Sequence, residues 1–174
     1  MYANIAYLNN SIADFSDDSM PLIVGSCGHY RFHGEDVFHT RRPEGRQDYQ
    51  LLYIASGRAY FTVCGEEKLL QAGNMVIYRP GESQDYVYYG EDLPEIYWVH
   101  FTGSRVQEIL ESYGIYKPMF ASGTAVVYGQ LFYQMITELP TRKSWRCASG
   151  RFSYRYAVVE KRILLSENLP YRKK

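Results

Sequence analysis

Gly73–Tyr86 reads GNMVIYRPGESQDY: an apolar run, a proline-glycine pair, and a second run that opens on glutamine. Met75 to Tyr78 are strand formers, and Pro80-Gly81 supplies the fixed and the positive φ of a tight turn. Strand, turn, strand is the expectation. Working outward, the same grammar recurs from about residue 21 to 101. PLIVGSCGHYRF, DYQLLYIASG, RAYFTVCG, EEKLLQAG, NMVIYRPG, QDYVYYG and EIYWVHF are short aromatic and β-branched runs punctuated by glycine or proline. Such strands with no helical pattern between them predict an antiparallel sandwich or barrel. Ser56-Gly57 and Cys64-Gly65-Glu66 read as hairpin turns.

After Phe101 the period changes. Ser104 followed by Gln107 has the form of a capping box, and Val106, Ile109, Leu110 and Tyr113 then fall at helical spacing before Gly114. A second helix is expected from Thr124 to Leu139, with Val127, Leu131, Met135 and Ile136 as its stripe and Pro140 as its stop. That stripe reads equally as a core face or as a dimer seam. Tyr154, Val158, Ile163 and Leu165 suggest a weak third helix, and the ending LPYRKK reads as a truncation. Charge is uneven. Residues 1–139 hold 9 basic and 17 acidic residues, a net of −8, whereas residues 140–174 hold 10 basic and 2 acidic, a net of +8. The basic tail suits a solvated linker or a nucleic-acid-facing segment.

The 174 residues allow one domain with a real core, and the 18 Tyr, 8 Phe and 2 Trp suit strands and flat-walled pockets. No apolar run approaches the roughly 18 residues a membrane helix needs, and the N-terminus has no signal-peptide pattern. Three dispersed cysteines, Cys27, Cys64 and Cys147, fit free thiols in a cytoplasm, with Cys64 expected half-buried beside its hairpin glycine. Catalytic signals are missing: there is no GxSxG, P-loop or HExxH. His29 and His33 are four apart, a spacing that has meaning on a helix but not on a strand. Glu66-Glu67 and Glu91-Asp92 sit at turns, where charge is solvated surface. No catalytic residue, metal or cofactor is expected.

GNMVIYRPGESQ resembles the second motif of the cupins, in which a glycine is followed at fixed spacing by proline, glycine and a metal-binding histidine. Gly73 and Gly81 match, but Arg79 stands for the proline and Gln84 for the histidine. Counting back from Gly57 as the glycine of the first motif, its glutamate slot holds Gln50, and RPEGRQD at 42–48 lacks the expected histidines. Two amides make a poor transition-metal site.

A narrower likeness covers most of the chain. RPEGRQDYQLLYIASG, the AGNM–RPGE turn and YWVHFTG followed by helices together resemble the N-terminal effector-binding domain of AraC-type transcriptional regulators. The resemblance implies a cupin-like antiparallel β-barrel (jelly roll) followed by two or three α-helices. It also implies a small-molecule effector, often a sugar, a homodimer through helix 124–139, and DNA binding only through a separate C-terminal helix-turn-helix domain. No such domain fits in the 35 residues after Leu139. Carried over residue by residue, the arabinose pocket of the founding member places Arg42, Tyr86 and Trp98 on ligand contacts, while a pocket histidine there corresponds to Ile96. Strand alternation puts Ile96, Trp98 and His100 on one face, which adds His100.

The expected site is therefore Arg42, Gln50, Gln84, Tyr86, Trp98 and His100. The competing assignments are plain: Arg42 as a surface charge beside Arg41, and Tyr86 and Trp98 as core aromatics. The expected organisation is an arm over 1–20, a barrel with its flanking helix over 21–123, and a helical dimerisation and linker segment over 124–174. The competing function is a small cupin enzyme, a sugar epimerase or metal-dependent lyase. A third is direct nucleic-acid binding through residues 140–174.

Overall fold

The computed structural model describes residues 1–8 and 14–141, so the expected third helix and the basic tail lie outside the described residues. Among the described residues, ten strands form two antiparallel sheets that face each other as a jelly-roll barrel, with two α-helices on one flank. One sheet holds, in spatial order, β1 (Tyr2–Tyr7), β2 (Ile23–Arg31), β9 (Glu95–Thr102), β4 (Tyr49–Ser56), β7 (Asn74–Tyr78) and β10 (Met119–Ala121). The other holds β3 (Val37–Arg42), β8 (Gln84–Tyr89), β5 (Arg58–Val63) and β6 (Glu66–Gln71).

The expected strand, turn and strand of Gly73–Tyr86 become β7, a turn and β8, but the two strands lie in different sheets. The turn is of type II: Pro80 precedes Gly81 at φ 77°, Glu82 N–H donates to the Arg79 carbonyl, and the Glu82 carboxylate accepts from Arg79 N–H at 2.8 Å. The chain therefore crosses from one sheet to the other at the end of the barrel, as a jelly roll requires.

β1, β3 and β10 go beyond the seven expected runs. β1 pairs with β2 from Tyr2↔Arg31 to Tyr7↔Ser26, so the first residues of the expected arm are a sheet edge. β3 is short and charged, yet it alternates: Val37, His39 and Arg41 point outward while Phe38, Thr40 and Arg42 point inward.

The central strands of the larger sheet are buried on both faces, which explains their continuous apolar runs. Leu51, Tyr53, Met75, Ile77, Tyr97, Val99 and Phe101 form one core with the helices. Leu52, Ile54, Val76, Tyr78, Ile96 and Trp98 turn the other way and meet Phe61, Tyr86 and Tyr88 of the smaller sheet inside the barrel. The expected sharing of one face by Ile96, Trp98 and His100 holds, because all three alternate with the helix-side residues of β9.

Two helices follow, α1 (Val106–Ser112) and α2 (Val126–Glu138). The expected capping box does not form: the Ser104 hydroxyl donates to the Met20 carbonyl, and no side chain caps α1. Tertiary attachment of the 20–22 segment takes that serine instead. On α2, Tyr128, Leu131, Phe132, Met135 and Ile136 are buried against the sheet, so the predicted stripe is a core face. Its outer side carries Val126, Gln130, Tyr133, Gln134 and Thr137. Cys64 is also corrected: it is exposed, at φ 53° in the two-residue turn with Gly65 that joins β5 to β6. Such a turn needs two positive φ values and leaves its tip in solvent. Cys27 is a buried free thiol whose pKa burial pushes up to about 12. No helix among the described residues is long and apolar enough to cross a membrane.

Candidate functional site

Both sheets contribute to a cavity of about 200 Å³ inside the barrel. From β9 come Trp98 and His100, from β4 Gln50 and Leu52, and from β2 Ser26 and Tyr30. Facing them are Phe38, Thr40 and Arg42 of β3 and Tyr86 and Tyr88 of β8. Tyr7, at the end of β1, and Arg46, on the β3–β4 connection, complete the lining. Five of the six residues expected from the sequence thus meet around one space. The sixth, Gln84, sits one contact away: it is paired with Arg42 across β3–β8, and the Arg42 guanidinium donates to its Oε1 at 3.1 Å.

Trp98 owes its position to a glycine. Gly28 is its cross-strand partner, and a Cβ on Gly28 would fall 2.5 Å from the indole ring. The ring lies across the space a side chain would fill, against Tyr30 at 5.8 Å and edge-on to His100 at 5.0 Å. Gly28→Ala is therefore expected to displace the indole and cost about 1–3 kcal/mol of overpacking. Urea unfolding and the tryptophan emission maximum, compared with the parent protein, check this.

A buried ionic cluster stands at the same end. Arg46 forms a two-pronged pair with Asp48, Nε to Oδ1 at 2.6 Å and Nη2 to Oδ2 at 3.0 Å, and also meets Asp14 at 2.6 Å. His100 Nδ1 lies 3.5 Å from Asp48 Oδ1, an ion-pair approach rather than a full hydrogen bond. Burial, reinforced by Arg46 and Arg42 and only partly opposed by Asp48, lowers the His100 pKa. Burial would raise the Asp48 carboxyl, but the nearby His100 ring and the two-pronged hydrogen bonds and charge of Arg46 outweigh it and hold the carboxyl below its ordinary value.

Several buried polar atoms close to the cavity have no partner among the described residues: Gln50 Oε1, Gln84 Nε2, Tyr88 OH, Trp98 Nε1 and His100 Nδ1. Gln50 makes a single long contact, its amide to the Tyr86 hydroxyl at 3.4 Å. Buried polar groups cost free energy unless paired, so this concentration marks a place where a polar molecule is at home.

The cupin fold raises the question of a metal, and the residues present do not fit one. The histidine and glutamate slots hold Gln84 and Gln50, both buried on the barrel interior, and His100 is the single imidazole lining the cavity. Among the described residues no three His, Cys, Asp or Glu side chains converge. Amide oxygens without carboxylate or imidazole partners hold transition metals weakly.

His29 belongs elsewhere. It lies outside the pocket, stacked on Tyr97 at 4.3 Å and hydrogen-bonded to Glu95 at 2.9 Å and to the Tyr133 hydroxyl of α2 at 3.1 Å. Burial lowers its pKa despite Glu95. It ties α2 to the sheet and takes no part in the cavity.

Sequence reasoning missed Tyr7, Tyr30, Phe38, Tyr88 and the Arg46–Asp48 pair. The alternation of β3 and the Arg-x-Asp spacing just before β4 were the available signals.

Curated protein sequences give no match to this chain. Among solved structures, an apo ToxT variant from Vibrio cholerae shares 10% identity over 82% of this chain and 54% of its own, with a TM-score of 0.49. The chain thus spans about half the length of ToxT. A cupin domain of an XRE-family transcriptional regulator from Enterobacter cloacae shares 11% identity over 48% of this chain and 97% of its own, with a TM-score of 0.35. A salicylate 1,2-dioxygenase variant from Pseudoaminobacter salicylatoxidans shares 15% over 60% and 26%, at 0.36. Likenesses this distant carry no argument about chemistry. The signature of the AraC-like ligand binding domain, by contrast, matches residues 26–151, well over half of the 174, and the chain belongs to that family.

Proposed function

We propose that the chain is the effector-sensing part of an AraC-type transcriptional regulator, a non-enzymatic, metal-free barrel that holds a small hydroxylated molecule, a sugar. The carrying observation is the convergence of an indole, a guanidinium and the Gln50 amide, with its unpartnered oxygen, on one cavity of monosaccharide scale. Trp98 offers a flat surface for a sugar's C–H face, and Arg42, Gln50 and His100 offer hydrogen bonds to hydroxyls. Gln50 and Gln84 disfavour the rival reading, a sugar epimerase or metal-dependent lyase, because the ligands such an enzyme needs are replaced by amides.

The signal would leave the barrel by population shift: a ligand favours whichever placement of surrounding segments it contacts best. Tyr7 lines the cavity and Asp14 pairs with cavity-lining Arg46, so both ends of the 8–13 connection answer to the pocket. The reading includes a homodimer, DNA contact through a domain beyond this chain, and a cytoplasmic setting. A seam along α2 would use its outer side, Val126 and Tyr133 included, since the apolar stripe is spent on the core.

The test is thermal denaturation against a panel of monosaccharides, glycosides and sugar acids at millimolar concentration. A ligand present at ten times its Kd stabilises by about 1.4 kcal/mol, which raises Tm by about 3–6 °C for a chain of this size. Trp98→Ala is expected to remove that shift. A panel without any shift would sink the sugar reading.

A further inference from the structure

Arg42 enters the barrel as the last inward residue of β3 with most of its bonding capacity unused. A guanidinium carries five N–H donors. Among the described residues its one hydrogen bond goes to Gln84 Oε1, and no carboxylate stands within ion-pair distance. The neighbouring guanidinium is treated differently: Arg46 is matched by both Asp48 and Asp14. Among the described residues, the pocket therefore holds one neutralised cation and one cation without a counter-charge. Of the unpartnered atoms around the cavity, Gln84 Nε2 and Trp98 Nε1 are donors, Gln50 Oε1 is an acceptor suited to a sugar hydroxyl, and Tyr88 OH and His100 Nδ1 can act either way. A neutral polyol would satisfy some of these donors but would leave the guanidinium unpaired in a half-enclosed, aromatic-walled space, whereas a carboxylate answers charge and donor surplus together.

We infer that the effector is a carboxylated monosaccharide, of the uronate or aldonate class, with its carboxylate on Arg42 and its C–H face on Trp98. This deepens the sugar-sensing reading and rests on it. The half-enclosed cavity of about 200 Å³ is of the scale of a single sugar unit.

Matched pairs test it by calorimetric titration of the full chain: galacturonate against galactose, glucuronate against glucose, and gluconate against glucitol. At least one acid is expected to bind ten-fold or more tighter than its neutral partner. Arg42→Gln is expected to weaken that acid by about 10- to 100-fold and to weaken it at least about ten-fold more than its neutral partner, and Arg42→Lys, which keeps the charge but not the fork, should recover part of the loss. Circular dichroism of each variant verifies that it folds. Neutral sugars binding as tightly as their acids, with Arg42→Gln without charge-selective effect, would overturn this inference and leave the sugar-sensing reading standing. Failure of every acid and every neutral sugar to bind would overturn both.

Discussion

Replacing Asp48 by alanine is expected to destabilise the domain by about 3–5 kcal/mol, because it strands a buried cation. Asp48 is 1% exposed and takes both prongs of Arg46, whose side chain is itself only 9% exposed. Asp14 remains as a second partner for Arg46, which puts the expectation toward the lower end of the range. The loss should appear as a lower urea midpoint with an unchanged slope. Acid reports the same interaction. The folded-state pKa of Asp48 lies below its unfolded value, so its contribution is complete above the ordinary carboxylate pKa of about 4 and is lost as pH falls through the folded value. In Asp48→Asn the fall in stability below about pH 4 is expected to be shallower.

Phe132→Ala is expected to cost about 3–5 kcal/mol, as large-to-small changes at fully buried aromatics do. Phe132 is fully buried and is the inward centre of α2, stacked on Tyr97 at 5.1 Å and parallel to Tyr53 at 6.4 Å. Removing the ring leaves a cavity between the helix and the central strands β9 and β4. The barrel-side cluster of Phe61, Tyr86, Tyr88 and Trp98 is a separate packing unit on the other face of the sheet. Ligand affinity, measured well below the unfolding transition, should therefore change far less than stability. Equal losses of both would mean the two faces are one unit.

The fold was legible where side-chain chemistry follows local rules. Pro80-Gly81 and Cys64-Gly65 announced their turns, and the two-sided apolar strands β4, β7 and β9 read as strands from their β-branched and aromatic content. β1 was not legible, because YANIAY is mostly exposed at a sheet edge and carries little apolar signal; its pairing with β2 is a long-range choice. β3 was missed because charge hid its alternation, yet that alternation decides which of two adjacent arginines enters the barrel. Arg41 points out with its side chain 74% exposed, and Arg42 lines the cavity. The capping box at Ser104 failed for a related reason: a local motif lost to a tertiary contact with Met20.

For the cavity, motif spacing pointed to Gln50, which lines it, and to Gln84, which sits one contact behind it, and strand parity pointed to His100 beside Trp98. What no local pattern supplied was the remaining aromatic lining. Tyr30, Phe38 and Tyr88 reach the cavity from three strands whose adjacency depends on the sheet order β3-β8-β5-β6 facing β2-β9-β4. The loop sequence RPEGRQD does not show that Arg46 and Asp48 are buried; the closed barrel makes them a buried pair.

The central claim is that the barrel interior receives the effector. It is tested most directly by electron density from crystals grown with the panel compound that gives the largest Tm rise. The account predicts a single sugar-sized molecule bounded by Arg42, Gln50, Tyr86, Trp98 and His100, with its apolar face on the Trp98 indole. Density for that compound at another site, such as the surface groove lined by Thr62, Cys64 and Tyr78, or a metal ion coordinated inside the barrel, would contradict it.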